Sequence, residues 1–212
     1  MSNQYKSILS ILMVGVFTLS FTLEASAYEL IGHKLTQAPY NRYYWNDTVT
    51  TNLGGFNAKN NCDLAVSAWS SSPNTKIYLH KTTSQVESIM DFHSIFKADA
   101  NELGWIVFFN GSTQIQPSVS DYSWVKMHIN TNGNINWMQD PTSYKYVEAN
   151  GKQQHVWAHE AGHGFGLDHV WAASWNANVL MTPTPSSYYN YGTKGPKDDE
   201  VAGVQAIYGK LY

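Results

Sequence analysis

Apolar and polar positions alternate in several short stretches of this chain and take helical spacing in a few longer ones. Tyr40, Tyr43, Tyr44 and Trp45, followed by Val49, read as a strand entered just after Pro39. Lys76 to His80 and Trp124 to Ile129 alternate in the same way, and Val86 to Phe96 has room for another strand. Trp105 to Phe109 is a continuous apolar run stopped by Asn110-Gly111, the pattern of a strand leading into a turn. Helical spacing opens at Asn61-Cys62-Asp63, with Leu64, Ala65, Ala68 and Trp69 on one side, and closes at Ser70-Ser71-Ser72-Pro73. A second helix is predicted from Lys152 to Gly164. A third, Asp198 to Tyr208, carries Val201, Val204, Ile207 and Tyr208 on one face, and Asp198 and Asp199 suit its N-terminal dipole. No repeat or linker interrupts this order. Strands first and helices late predict one α+β domain with a twisted sheet.

Ahead of these elements, Met1 to Lys6 carries one positive charge and precedes an uncharged, mostly apolar run from Ile8 to Leu23. That run is shorter than the ~20 residues that span a bilayer. It ends in Glu24-Ala25-Ser26-Ala27, a small-residue cleavage pattern before Tyr28. Residues 1–27 are therefore expected to be a secretory signal peptide, with an uncleaved anchor as the alternative, and residues 28–212 the exported domain.

Composition narrows the class. Charged residues make up 14% of the chain and aromatics another 14%, which gives enough apolar surface to offset the entropy of ordering. The net charge is −3 with no basic run, so the footprint of a nucleic-acid binder is missing. The one cysteine, Cys62, excludes a disulfide framework and every Cys-rich zinc module. A secreted chain without disulfides points to a bacterial exporter. Any metal site must be built from histidines and carboxylates.

Such a set occurs in His159-Glu160-Ala161-Gly162-His163-Gly164-Phe165-Gly166-Leu167-Asp168-His169. His159 and His163, four apart on a helix, project from one face and can reach one metal ion. Glu160 lies beside the first ligand, where its carboxylate can hold a water on the metal. Gly166 permits a sharp turn, because glycine takes positive φ without steric cost, and that turn can bring His169 back as a third nitrogen. Three protein ligands leave the open position of a catalytic zinc. For this composition, the five fixed letters coincide by chance with a probability on the order of 10⁻⁵.

These eleven residues resemble the extended zinc signature of the metzincin metallopeptidases, HExxHxxGxxH, and Gly166 to His169 is most similar to the matrixin branch. Val179-Leu180-Met181-Thr182-Pro183 resembles the Met-turn, and residues 198–209 resemble the closing helix of matrixin catalytic domains. The resemblance implies a single metzincin-like domain. Its twisted, mixed sheet would be mainly parallel with an antiparallel edge strand, accompanied by about three helices, with the active-site helix followed by a Met-turn. It implies one catalytic Zn²⁺ on His159, His163 and His169, Glu160 as general base, and Met181 as a floor beneath the metal. It leaves room for Ca²⁺. Substrate would bind extended along an edge strand, for which Trp105 to Asn110 is the candidate, an interior strand being the alternative. Pro183 to Tyr191 would wall the adjoining pocket, lined by Tyr188, Tyr189 and Tyr191, or would form an ordinary surface loop.

There are departures from the matrixin pattern. Thr182 stands where the Met-turn usually has Tyr, and no cysteine-bearing pro-segment is present. Cys62 reads as a small buried hydrophobe. His155 shares the face of the motif histidines but is expected to support the ligands from beside the site or to be exposed, rather than to ligate. His128 matches one ligand of a structural zinc without its companions. Asp198 or Asp199 would pair with the amino group of Tyr28 or simply cap the helix. The expected function is that of a secreted, monomeric zinc endopeptidase acting on proteins or peptides, with no nucleic-acid partner and no membrane partner after signal cleavage. The alternatives are a zinc peptidase for cell-wall peptides and a catalytically silent zinc-dependent binding module, the latter disfavoured by the intact Glu160.

Overall fold

The computed structural model describes residues 28–137, 151–171 and 178–212. The expected export signal, residues 1–27, lies outside the described residues. In chain order the elements are β1 (Glu29–Leu30), β2 (Tyr40–Thr48), α1 (Ala58–Ser70), β3 (Tyr78–Lys81), β4 (Ser88–Ile95), β5 (Gly104–Asn110), β6 (Thr113–Ile115), β7 (Trp124–Asn130), α2 (Gly151–Gly164), β8 (Leu167–Asp168), α3 (Ser186–Tyr191) and α4 (Asp198–Tyr208). Among the described residues, no helix is long and apolar enough to cross a membrane.

Six strands form one sheet in the order β3-β2-β4-β7-β5-β6. The first four run parallel, β5 runs antiparallel to β7, and β6 returns from β5 as a hairpin. Alternation decides which side is core. Met90, Phe92, Val125, Met127 and Ile129 are fully buried toward the helices, while their neighbours Asp91, His93, Lys126 and His128 point to the other face. Helix α1 is the crossover that lets β3 lie parallel beside β2.

The two long helices are tied to each other by buried polar groups. The Trp69 indole donates to Ala158 O at 2.9 Å, the Trp157 indole donates to Ala58 O at 3.2 Å, and Asn61 Nδ2 donates to Gln153 Oε1 at 2.9 Å. Each satisfied group avoids the ~1–3 kcal/mol cost of an orphaned buried donor. These bonds fix α2, and with it the motif histidines, against the sheet.

Several expectations need correction. Helix α1 opens at Ala58, capped by Asn57, whose Oδ1 accepts from Asn60 N at 2.9 Å. Its buried face is Cys62, Ala65, Val66 and Trp69, and Leu64 points outward at 44% exposure. The helix count agrees with the expected about three: three longer helices and the short one at residues 186–191 among the described residues. The short strands β1, β6 and β8 leave no periodic trace in the sequence. The Trp105–Asn110 candidate is half edge: Phe108 to Asn110 pair with β6, whereas Gly104 to Val107 pair only with β7 among the described residues.

Candidate active site

Helix α2 carries His159, Glu160 and His163 on its last two turns. The chain then turns at Gly166, whose φ of 98° is a conformation that L side chains rarely adopt. Strand β1 braces this turn. Glu29 and Leu30 pair with Asp168 and Leu167, and Ile31 N donates to Gly166 O at 3.0 Å. On the other side, Leu167 rests against Gly203 of α4, and the Tyr122 hydroxyl donates to Gly164 O at 3.2 Å. The turn returns His169 to its partners. His169 Nε2 lies 3.1 Å from His159 Nε2 and 3.2 Å from His163 Nε2.

The ring orientations are set from behind. His159 Nδ1 donates to Leu180 O at 3.0 Å, and His163 Nδ1 donates to Leu167 O at 2.8 Å. Both Nε2 atoms therefore offer bare lone pairs to the centre. Neutral His169 can relieve at most one of its two contacts with a single proton, so the three nitrogens repel unless a cation lies among them. This donor set fits zinc, which takes imidazole nitrogen readily. Burial lowers the proton affinity of all three rings, reinforced at His159 and His163 by neighbouring histidine charge and opposed at His169 by Asp168 and Glu29; His163 is brought down to about 4. The rings are thus neutral and ready to ligate near neutral pH. Among the described residues, theirs is the one group of three converging metal-ligating side chains, and nothing among those residues supports a calcium ion.

Glu160 is buried at the base of a cleft of about 560 Å³ that it shares with the three histidines. Burial, with the Glu102 charge second, raises its carboxyl to about 8. Across the cleft lie Asp99 to Ile106, the loop before β5 and the free part of its edge. Gly104 is required there: a Cβ would stand 2.8 Å from Val156 Cγ1 and 2.9 Å from Glu160 Oε1.

The Met-turn residues lie beneath α2. Met181 is buried, and its Sδ occupies the space that a side chain at Gly162 would need. Glu200 of α4, fully buried, holds this segment. Its Oε1 accepts from Met181 N at 3.1 Å and its Oε2 from Lys197 N at 2.9 Å. Thr182 to Pro185 line the cleft. The expected tyrosine lining is not seen: Tyr188 and Tyr189 are buried in the protein and absent from the cleft wall.

The remaining candidates also have definite places. His155 is buried at the cleft, its Nδ1 donating to Thr193 O at 2.9 Å, outside the converging trio. His128 stacks between Trp105 (centroids 4.6 Å) and His93 (5.7 Å) on the far face of the sheet and, among the described residues, belongs to no ligand group of three. Cys62 is fully buried, and burial raises its thiol well above the usual range, so it stays protonated. Glu200, Gly104 and Trp171 were not singled out by sequence reasoning. Trp171, 68% exposed, meets the His169 ring edge-on at 5.4 Å. The one available signal was the acidic first turn of α4, which hides Glu200 among Asp198 and Asp199.

The profile of the matrixin family of peptidases matches residues 44–209. No curated protein matches the chain. Among 84 matching solved chains is one from the GM1-bound form of the ECX AB5 holotoxin. It is 15% identical, with a TM-score of 0.57 over 86% of this chain and 88% of that one, a likeness of fold.

Proposed function

We propose, from the premise that this chain belongs to the matrixin family of metallopeptidases, that it is an exported zinc endopeptidase cleaving internal bonds of proteins. The observation that carries this reading is the convergence of three Nε2 atoms, 3.1 and 3.2 Å apart, beside a buried carboxylate in an open cleft. His159, His163 and His169 would hold the ion. Zinc bound there supplies a Lewis acid for the scissile carbonyl and makes water acidic enough to attack near neutral pH.

The chain's own groups do the rest. Glu160 takes the proton of the attacking water and passes it to the leaving amine, a task suited to a carboxylate buried in the cleft beside the three histidines. The backbone of Gly104 to Val107, unpaired on its outer side among the described residues, offers hydrogen bonds to an extended peptide of any sequence. Thr182 to Pro185 close the opposite side of the cleft. A silent binding module would have no use for the carboxylate in this place. Removal of residues 1–27 during export completes the reading.

The test separates binding from chemistry. Glu160→Ala is expected to retain close to one zinc per chain while losing cleavage of unfolded casein by about 10³-fold or more. Wild-type cleavage by that variant, or cleavage by the wild-type chain after zinc is removed with a chelator, would overturn the assignment.

A further inference from the structure

Resting on the peptidase reading, we infer that Asn130 and Asn132 are positioning residues for the substrate cleft, their side-chain amides clipping the rim loop, residues 97–103, into its working conformation. That loop is the upper wall of the cleft: Asp99, Asn101, Glu102 and Leu103 line it, and the loop delivers Gly104 and the free edge of β5 beside Glu160. It has little packing of its own. Ala98, Asp99 and Asn101 are exposed, and only Ala100 and Leu103 pack partly on the core. A segment with so few apolar contacts sits at the low end of local stability unless polar groups hold it.

Two buried asparagines do so. Asn130, fully buried at the end of β7, donates from Nδ2 to Asp99 O and to Glu102 O, both at 2.8 Å. Its Oδ1 accepts from Lys97 N at 2.9 Å and Asn132 N at 3.0 Å, and its backbone N donates to Leu103 O at 2.9 Å. Asn132 donates from Nδ2 to Lys97 O at 3.0 Å and Ala98 O at 2.9 Å, and its Oδ1 accepts from Asn134 N at 2.9 Å. Five carbonyls of a seven-residue loop thus end on two residues of one strand end. Only an amide side chain meets this demand, because each site needs two donors and an acceptor at once. An aspartate of the same size keeps the acceptor and turns a charge toward the carbonyls.

Asn132→Asp is the decisive variant, since it removes two carbonyl contacts and leaves the four side-chain bonds of Asn130 in place. Hydrogen exchange in 97–103 is expected to quicken about tenfold with α2 unaltered and zinc still at one per chain. KM for an extended peptide is expected to rise about tenfold with kcat within about twofold, the pattern of lost substrate binding rather than lost chemistry. Asn130→Asp is expected to go further in the same direction. Unaltered exchange in the loop would overturn the clip, and so would faster loop exchange with KM unaltered, or exchange quickened equally in α2. If the zinc-loaded wild-type chain cleaves nothing, the peptidase reading fails instead, and loop exchange alone decides the clip.

Discussion

The helix side of the cleft and its rim side face each other across the same space but are held by different means. On the helix side, His159 and His163 have their rings fixed by the carbonyls of Leu180 and Leu167, on a helix locked to α1 by buried tryptophans. Close packing at Gly162 leaves room for Met181 and nothing else. On the rim side, an exposed loop hangs from two asparagine amides. Groups that would hold the ion are half-buried with two of their rings fixed from behind, and the group that would move protons is buried. Groups that would receive a peptide are shallow, and their order is bought with hydrogen bonds. Damage on the helix side is therefore expected to abolish turnover, and damage on the rim to weaken substrate binding.

The sharpest way to break this contrast is at the metal. His163→Ala, which leaves two ligands and a cavity, is expected to reduce zinc affinity by at least about 10²-fold and to abolish cleavage; metal analysis after dialysis and a casein assay check both. Turnover surviving with no bound zinc would show that the helix side does not carry the chemistry.

A smaller effect is expected one layer away. Glu200→Ala orphans two N–H groups, those of Met181 and Lys197, and is expected to cost about 2 kcal/mol of stability. The Leu180 carbonyl behind His159 adjoins Met181, so zinc release should quicken several-fold as well. Denaturant unfolding and zinc transfer to a chromogenic chelator measure the two. Loss of stability with unaltered zinc release would confine Glu200 to the scaffold.

The smallest effect tests the far face of the sheet. Burial holds His93 and His128 neutral, each down to about 4 in the folded chain. Unfolded, both titrate at the ordinary value of 6.5. The unfolded chain then binds more protons between pH 6.5 and 4, so stability falls as pH drops through that window and is restored above it. His128→Phe keeps the stack on Trp105 and removes one of the two titrations. Its melting temperature is expected to fall less than the wild type's between pH 6.5 and 4.5, by about 3 °C. Equal falls would mean that His128 does not contribute.

Legibility in the sequence followed the same division. The metal side was readable because helical spacing alone puts His159 and His163 on one face, and Gly166 marks the turn that returns His169. Strands β3 and β7 showed themselves by alternation, β2 by its aromatic cluster after Pro39 and β5 by a continuous apolar run ended at Asn110-Gly111. The rim was not readable. Asn130 and Asn132 look like ordinary turn residues after a strand, and their partners lie about thirty residues earlier, where no local pattern points to them. Strands β1 and β8, two residues each, are too short to have a period. Neither alternative for Tyr188 and Tyr189, cleft lining or surface loop, is met, because aromatic content says nothing about direction; as α3 forms, both rings turn inward. Leu64 shows the converse, an apolar residue left outside because the buried stripe of the helix runs through Ala58, Cys62, Ala65, Val66 and Trp69.

The strap of β1 on β8 has a temporal consequence. The turn carrying His169 is gripped on one side by Glu29 to Ile31 and on the other by Gly203 and Ile207 of α4, so its clamps come from opposite ends of the described chain. A contact map of such long sequence separation folds slowly, and no growing chain can close that grip before its final helix has emerged. The arm that carries His169 therefore settles in one late step. Until then the nascent polypeptide holds two histidines and a carboxylate on a helix without the third arm in place.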